Sequence, residues 1–344
     1  MSEERTEIGS LGEFGLIDFL TRDIDTKNVS TLLGIGDDAA IVETFGKQTV
    51  VSTDMLVEGV HFDLMYMPLK HLGYKAVVVN LSDIYAMNAT PTAITVSIAI
   101  SNRFSVEALD EIYAGIKLAC ERYQVDIIGG DTTSSLKGLI LSITALGEVD
   151  ERKFVTRSGA QPNDLLCVTG NLGAAYMGLL LLEREKKVFL ENQQVTPSFD
   201  NQTYVLQRFM KPEAQRRAIE WMQEHQLMPT SMIDISDGLS SEILHLCKQS
   251  ETGCVLYEEK IPIHDETTEN ARKFNIAPTT AALNGGEDYE LLFTISPTDF
   301  EKIKEEEWLS VIGYMTSPEE GKKLITQGDK RIDITAQGWN HYTL

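Results

Sequence analysis

The stretch AITVSIAISNRFSVEALDEIYAGIKLACERYQVDIIGGDTT, residues 93–133, decides how the first half of this chain must fold. Ile94, Val96, Ile98 and Ile100 alternate with small or polar residues, the two-residue period of a strand with one buried face. Val106, Leu109, Ile112, Ile116 and Cys120 then recur at helical spacing. The apolar run 125–128 follows and ends at Gly129-Gly130-Asp131. Strand, helix and strand in that order predict an α/β unit. On the N-terminal side, Leu72, Ala76, Val78, Val79, Ile84 and Met87 predict a mostly buried helix over 70–88. Residues 40–42 and 49–53 read as two short strands around a Gly46-Lys47 turn, and 139–146 alternates as a further strand. These elements close a first domain at 1–150.

A polar connection over 152–164 leads into a second α/β domain, 151–344. Its expected elements are strands at 165–169, 232–235, 254–257, 289–295 and 309–315, with helices at 174–184, 213–225 and 239–249. The polar stretch 184–202 reads as a mobile excursion. At 344 residues two domains are the better expectation, and 42% hydrophobic residues suffice for a substantial core. The formal charge of −22 speaks against nucleic-acid or anionic-membrane partners, which call for a basic footprint. Cys120, Cys167, Cys247 and Cys254 lack zinc-type spacing and suit a reduced, cytoplasmic setting. The N-terminus lacks the pattern of a signal sequence, and no apolar run is long enough to span a bilayer.

Carboxylates recur at Gly-, Ser- or Thr-marked ends of the apolar runs. The phrases are Gly-Ile-Gly-Asp-Asp-Ala (34–39), Ser-Thr-Asp (52–54), Asn-Leu-Ser-Asp (80–83), Gly-Gly-Asp-Thr-Thr (129–133), Ile-Asp-Ile-Ser-Asp-Gly (233–238) and Gly-Gly-Glu-Asp-Tyr-Glu (285–290). Several carboxylates share a site only with cations, because their repulsion otherwise protonates some of them. Magnesium with polyphosphate is the natural guest for hard oxygen ligands beside small residues.

Each phrase has a bland alternative. Asp37 and Asp38 make an ordinary turn, Ser236 or Asp237 an ordinary helix cap, and His61 and Arg157 are single residues of common types. Asp83 and Asp234 resist such readings, since each falls within an apolar element where an unpaired carboxylate is costly. Gly34-x-Gly36-x-x-Ala39 matches the dinucleotide fingerprint, but strand and turn follow it rather than the helix that the fingerprint needs. No Gly-x4-Gly-Lys-Ser/Thr loop occurs.

As a set, these phrases resemble the thiamine-monophosphate kinase family of the aminoimidazole ribonucleotide synthetase-like superfamily. The resemblance also rests on Gly-Glu-Phe-Gly-Leu-Ile (12–17), Ser-Thr-Asp-Met-Leu-Val-Glu-Gly-Val-His-Phe (52–62), Tyr-Lys-Ala-Val-Val-Val-Asn-Leu-Ser-Asp (74–83) and Thr-Arg-Ser-Gly-Ala (156–160), and spans nearly the whole chain. Selenophosphate synthetases that resemble this fold carry a reactive Cys near the N-terminus, and no Cys precedes Cys120 here. The hydrogenase-maturation relative ends in a functional Cys, whereas this chain ends His-Tyr-Thr-Leu.

The resemblance implies ATP-dependent phosphorylation of thiamine monophosphate to thiamine diphosphate by direct γ-phosphoryl transfer. It implies two α/β domains, the N-terminal one pairing its sheet with that of a second copy in a homodimer. By motif position, Asp38, Ser52, Thr53, Asp54, Asp83, Asp131, Asp234 and Asp237 are the magnesium ligands it implies, with Asp37 beside them. Gly130, Asp131, Arg157 and Ser236 are implied to contact ATP, and His61, Glu287 and Trp339 the thiamine phosphate. No protein nucleophile is implied, because the acceptor is itself an ionised phosphate and phosphoryl transfer rests on positioning and charge cancellation. A non-catalytic magnesium-nucleotide sensor and a synthetase working through another acyl- or seleno-phosphate are the rival readings.

Overall fold

The computed structural model describes residues 19–33, 41–44 and 46–336. Asp37, Asp38, Trp339 and the phrases at 12–17 and 34–39 lie outside the described residues. The chain divides into two compact units, Met1–Tyr85 with Ala89–Arg152, and Ala86–Asn88 with Lys153–Leu344.

In the first unit β1 (Thr31–Leu33) and β2 (Ile41–Val42) form a two-stranded ladder. The two strands expected around the Gly46-Lys47 turn are present, but they do not pair with each other. β2 pairs backwards with β1, and β3 (Gln48–Val57) leaves for a different, four-stranded sheet. That sheet has the order β3-β6-β4-β5, with β4 at Thr90–Ile100, β5 at Asp126–Ser134 and β6 at Ile140–Val149. β6 runs antiparallel to both neighbours, while β4 and β5 are parallel, as the intervening helix requires. Alternate residues of β6 are buried, so one face of the sheet is covered and the other is more open.

Two helices belong to this unit, α1 (Leu69–Ala86) and α2 (Val106–Tyr123). Ser105 caps α2, its Oγ accepting from Ala108 N, and the helix ends at Gln124 in the left-handed region. The expected stripe of Val106, Leu109, Ile112, Ile116 and Cys120 is its buried face. α1 crosses α2 at two glycines. A Cβ on Gly73 would lie 1.9 Å from Ile112 O, and one on Gly115 would lie 1.9 Å from Lys70 O. Backbone thus meets backbone, and α1 sinks so deep that residues 72–82 are all buried. That depth is what makes the polar residues of α1 informative.

The second unit is built on a seven-stranded mixed sheet of order β13-β12-β9-β11-β7-β10-β8. Its strands are β7 (Leu165–Thr169), β8 (Ser231–Asp234), β9 (Gly253–Tyr257), β10 (Leu291–Ile295), β11 (Leu309–Thr316), β12 (Lys322–Ile325) and β13 (Arg331–Asp333). β7 and β10 are interior strands of this sheet and read as continuous apolar runs rather than alternating ones. The helices are α3 (Ala174–Glu191), α4 (Thr203–Met210), α5 (Arg216–Glu224), α6 (Leu239–Gln249), α7 (Asp265–Lys273), α8 (Pro278–Asn284) and a single turn, α9 (Phe300–Ile303). Leu166, Val168, Ile233, Leu239, Ile243, Leu256, Leu292 and Ile312 form the main core. Met177, Leu181, Val205 and Ala271 make a second cluster among α3, α4, α7 and α8.

The segment 184–202 does not begin where the sequence suggested. α3 continues to Glu191, its buried face of Leu181, Leu182 and Glu185 extended by the half-buried Val188 and Phe189. Glu185 then accepts from Ser198 N at 3.1 Å and pairs with Arg184 at 2.7 Å, tying the following loop to the helix. Both units mix strands and helices, so the expected α/β class is borne out.

Candidate active site

In the first unit β3 and α1 bring three of the expected ligands together. Ser52 Oγ donates to Asp83 Oδ2 at 2.5 Å. The Asp54 carboxyl adjoins Asp83, and Asp54 N donates to Asn80 Oδ1 at 2.9 Å. Asn80, 1% exposed, is itself fixed by donation from Nδ2 to Ala76 O at 3.0 Å. Burial pushes the Asp54 carboxyl up to about 6, and the charge and hydrogen bond of Asp83 add to the rise. Since Asp54 retains exposed surface, the repulsion from Asp83 is the component that an arriving cation would reverse.

Strand register divides the remaining residues. Asp54, Ile143, Val96 and Gly130 are paired in one row across the sheet and share the covered face. Thr53 lies on the other face, where its hydroxyl donates to Ile143 O at 3.0 Å and meets Thr144 Oγ1 at 3.0 Å. Asp131 is exposed on that same open face, in register with Ser97. It lies three strand spacings from β3, or about 14 Å. One ion cannot touch both Asp54 and Asp131 across that span. Gly130 is fixed by packing, since a Cβ there would come within 2.0 Å of Val96 O.

His61 sits in the tight turn after β3, with Gly59 at φ +80°. Val57 N donates to His61 Nδ1 at 3.0 Å. That bond makes Nδ1 an acceptor, so the neutral ring carries its proton on Nε2 and presents a donor there, suited to a phosphate oxygen.

In the second unit the expected residues gather around the β8 edge of the sheet. Asp234 ends β8 and is buried; Ser236 and Asp237 follow and are exposed. The N-cap of α6 is Gly238, without a side-chain cap, so Ser236 and Asp237 are not spent on capping. The Gly286-Glu287 turn lies against them. Glu287 N donates to Ser236 O at 2.7 Å, and a Cβ on Gly286 would stand 2.5 Å from the same oxygen. Arg157 is exposed and follows Thr156, whose carbonyl accepts from Met232 N at 3.0 Å beside β8.

Sequence reasoning passed over two residues here. Asn80 stands only as part of a phrase, although an amide following Val77-Val78-Val79 in the helix that carries Asp83 is a usable signal. Glu242 had no such signal, since an acid in the first turn of a helix is commonplace. It is 2% exposed and its Oε1 accepts from Asp237 N at 3.0 Å. Burial pushes its carboxyl up to about 8, the Asp237 N–H opposes this, and the charges of Asp237 and Asp234 add to it.

Among the described residues no three His, Cys, Asp or Glu side chains are gathered closely enough to hold a metal ion by themselves. The donor chemistry nevertheless fits magnesium: hard oxygens, with Asp54 and Asp83 adjoining. Among the described residues no helix is long and apolar enough to cross a membrane.

Comparison with known proteins places the chain in a family. Residues 36–149 match the family described as AIR synthase related protein, N-terminal domain. Curated thiamine-monophosphate kinases are similar along nearly the full length. That of Aquifex aeolicus is 33% identical, covering 96% of this chain and 98% of its own. That of Buchnera aphidicola subsp. Schizaphis graminum is 37% identical with the same coverage. The chain belongs to the thiamine-monophosphate kinase family. Among solved members, AaThiL complexed with AMPPCP and TMP superposes with a TM-score of 0.75 at 30% identity, covering 99% of this chain and 100% of that one. The Stenotrophomonas maltophilia K279a member gives 0.77 at 27% identity, covering 94% and 98%. Hydrogenase maturation protein HypE in complex with ATP shares the fold alone, with a TM-score of 0.74 at 18% identity over 93% and 94%.

Proposed function

We propose that this protein carries out the reaction of its family, transferring the γ-phosphoryl group of ATP directly to the phosphate of thiamine monophosphate to give thiamine diphosphate and ADP. The observation that carries the reading is the Ser52–Asp54–Asp83 cluster, two adjoining carboxylates and a hydroxyl brought together by β3 and α1. Such a pair is unfavourable without a cation and well suited to one that arrives with polyphosphate.

Magnesium would be held by Ser52, Asp54, Asp83, Asp131, Asp234 and Asp237, together with Asp38; Thr53, whose hydroxyl is engaged on the open face, leaves its main-chain oxygen for that task. When bound, magnesium supplies charge neutralisation at the phosphates and a template for in-line approach. The separation of Asp131 from Asp54 supports more than one ion, seated at different points along the polyphosphate. Gly130, Arg157 and Ser236 contact ATP, the glycine by allowing backbone approach and the arginine as a fixed donor. His61 donates from Nε2 to the thiamine phosphate. Glu287 and Trp339 receive the thiamine moiety, the carboxylate facing its cationic ring. No side chain is required to take a proton from the acceptor, since a phosphate monoester is largely ionised near neutral pH.

The reading extends to residues 1–150 as a domain for ATP, magnesium and dimerisation, to 151–344 as a C-terminal α/β domain, and to a cytoplasmic homodimer. Support for the dimer lies at the edges of the four-stranded sheet. Among the described residues no strand pairs with the outer edge of β3 or β5, and β3 exposes Val51 and Met55 on its open face. Sedimentation of the purified chain should give twice the chain mass; a monomer would contradict this.

The test of the reaction is product analysis after incubation with magnesium-ATP. Thiamine monophosphate should yield equal amounts of ADP and thiamine diphosphate, and free thiamine or omission of metal should yield neither. ATP turnover without thiamine diphosphate would overturn the substrate, and ATP binding without turnover would favour the sensor.

A further inference from the structure

The Gly286–Tyr289 turn is shaped by a conformation that its residues do not prefer. Glu287 and Tyr289 both have left-handed backbone, at φ 58° and 52°, with Asp288 between them. For a bulky side chain such as Tyr289 this is a rare state that persists only where its surroundings impose it. Main-chain bonds from Glu287 N to Ser236 O and from Tyr289 N to Ile235 O hold one side of the turn, at 2.7 and 2.9 Å.

The other side is held from below by buried charge. Asp288 is fully buried, and its Oδ2 accepts from Gly173 N at 2.7 Å, where α3 begins without a side-chain cap of its own. Glu290 is 4% exposed, and its Oε2 accepts from Thr169 Oγ1 at 2.5 Å. Arg208, near the end of α4, reaches both levels with Nη2. It donates to Glu290 Oε1 at 2.8 Å, to Asp288 O at 2.9 Å and to Asn171 O at 3.4 Å. One guanidinium therefore clamps the β7–α3 loop, the main chain next to Glu287 and the first charged residue after the turn.

We propose that Arg208 is a positioning residue of the substrate site, holding the strained turn through Asp288 and Glu290 so that Glu287 is presented to thiamine monophosphate. This rests on the assignment of Glu287 to that substrate. Arg208 itself touches no substrate; it acts through the turn. A lysine in its place keeps the charge, but its ammonium rides on a flexible stem without the rigid guanidinium plane that aims Nη2 at these acceptors.

The test is Arg208→Lys, with Glu290→Gln as a second variant that removes the other end of the clamp. Both should remain folded by circular dichroism. The KM for thiamine monophosphate should rise about 10-fold while that for magnesium-ATP stays within about twofold. The Arg208→Lys effect should vanish in a Glu287→Gln background, because the turn then presents nothing. Hydrogen exchange gives a readout that needs no activity: the Glu287 and Tyr289 amides should exchange faster in Arg208→Lys, with those of β8 unchanged. Equal rises in both KM values, an undiminished effect in the Glu287→Gln background, or unchanged protection at Glu287 and Tyr289 would overturn the proposal. If the wild-type chain leaves thiamine monophosphate unphosphorylated, the substrate assignment falls, and the exchange experiment still decides whether Arg208 holds the turn.

Discussion

Asp54 with Asp83 and Asp288 with Glu290 are both close pairs of acids, and the chain treats them in opposite ways. The second pair has its own cation, Arg208, and the N-terminus of α3 as well. The first has a serine hydroxyl and an asparagine-bound main chain, and among the described residues no Lys or Arg forms an ion pair with Asp54. Acids supplied with internal countercharge build structure. Asp54, raised by burial and by its neighbour Asp83, favours a ligand that brings positive charge with it. The same residue type serves scaffold in one place and chemistry in the other, and the neighbours decide which.

The largest effect that separates the two pairs should be on turnover. Asp83→Asn should lower kcat/KM about 10⁴-fold, equivalent to about 5.4 kcal/mol of transition-state stabilisation. Its thermal midpoint in metal-free buffer should hold or rise, since one of two repelling charges is gone. Steady-state kinetics beside calorimetry would check this, and an active variant would remove Asp83 from the ligand set.

Arg208→Met should do the reverse, costing about 3–5 kcal/mol of stability in denaturant unfolding by leaving buried carboxylates without their cation. A loss below about 1 kcal/mol would mean that the second pair is not the structural one.

Third, magnesium-ATP at one hundred times its dissociation constant should stabilise the wild-type chain by about 2.7 kcal/mol. Asp54→Asn should lose most of that, as a melting series in ligand would reveal.

The smallest effect is on pH dependence. Burial pushes the Asp288 carboxyl up to about 7 from 3.8, against the opposing charge of Arg208 and the Gly173 N–H. The folded chain then holds a proton that the unfolded chain has released, so stability falls as pH rises from about 4 to about 7 and levels above. Asp288→Asn should flatten that part of the wild-type curve; an unchanged slope would place the titration elsewhere.

Much of the first unit was legible because its signals are local. The alternation at Ile94–Ile100 and the stripe at Val106–Cys120 each report one element on one face, and Asp83 stood out as a carboxylate in an apolar helix. The pairing of β2 with β1 was not legible, since two short strands flanking a turn carry no mark of which neighbour they join. α7, read from DETTENARK, was missed because a mainly polar helix shows little hydrophobic period. Arg208 and Glu290 are separated by 82 residues, and an arginine in a short amphipathic helix has no local feature that foretells a buried partner. The Thr53 side chain shows a finer limit. Motif position groups it with Ser52 and Asp54, whereas the two-residue period of a strand sends it to the other face.

The most direct test of the contrast between the two acid pairs is manganese binding, followed by electron paramagnetic resonance, in the ADP-bound wild-type chain, Asp83→Asn and Arg208→Lys. Wild type and Arg208→Lys should bind the same number of ions with the same affinity, and Asp83→Asn should lose at least one. Equal binding by all three, or loss in Arg208→Lys alone, would contradict the assignment of the open pair as the cation seat.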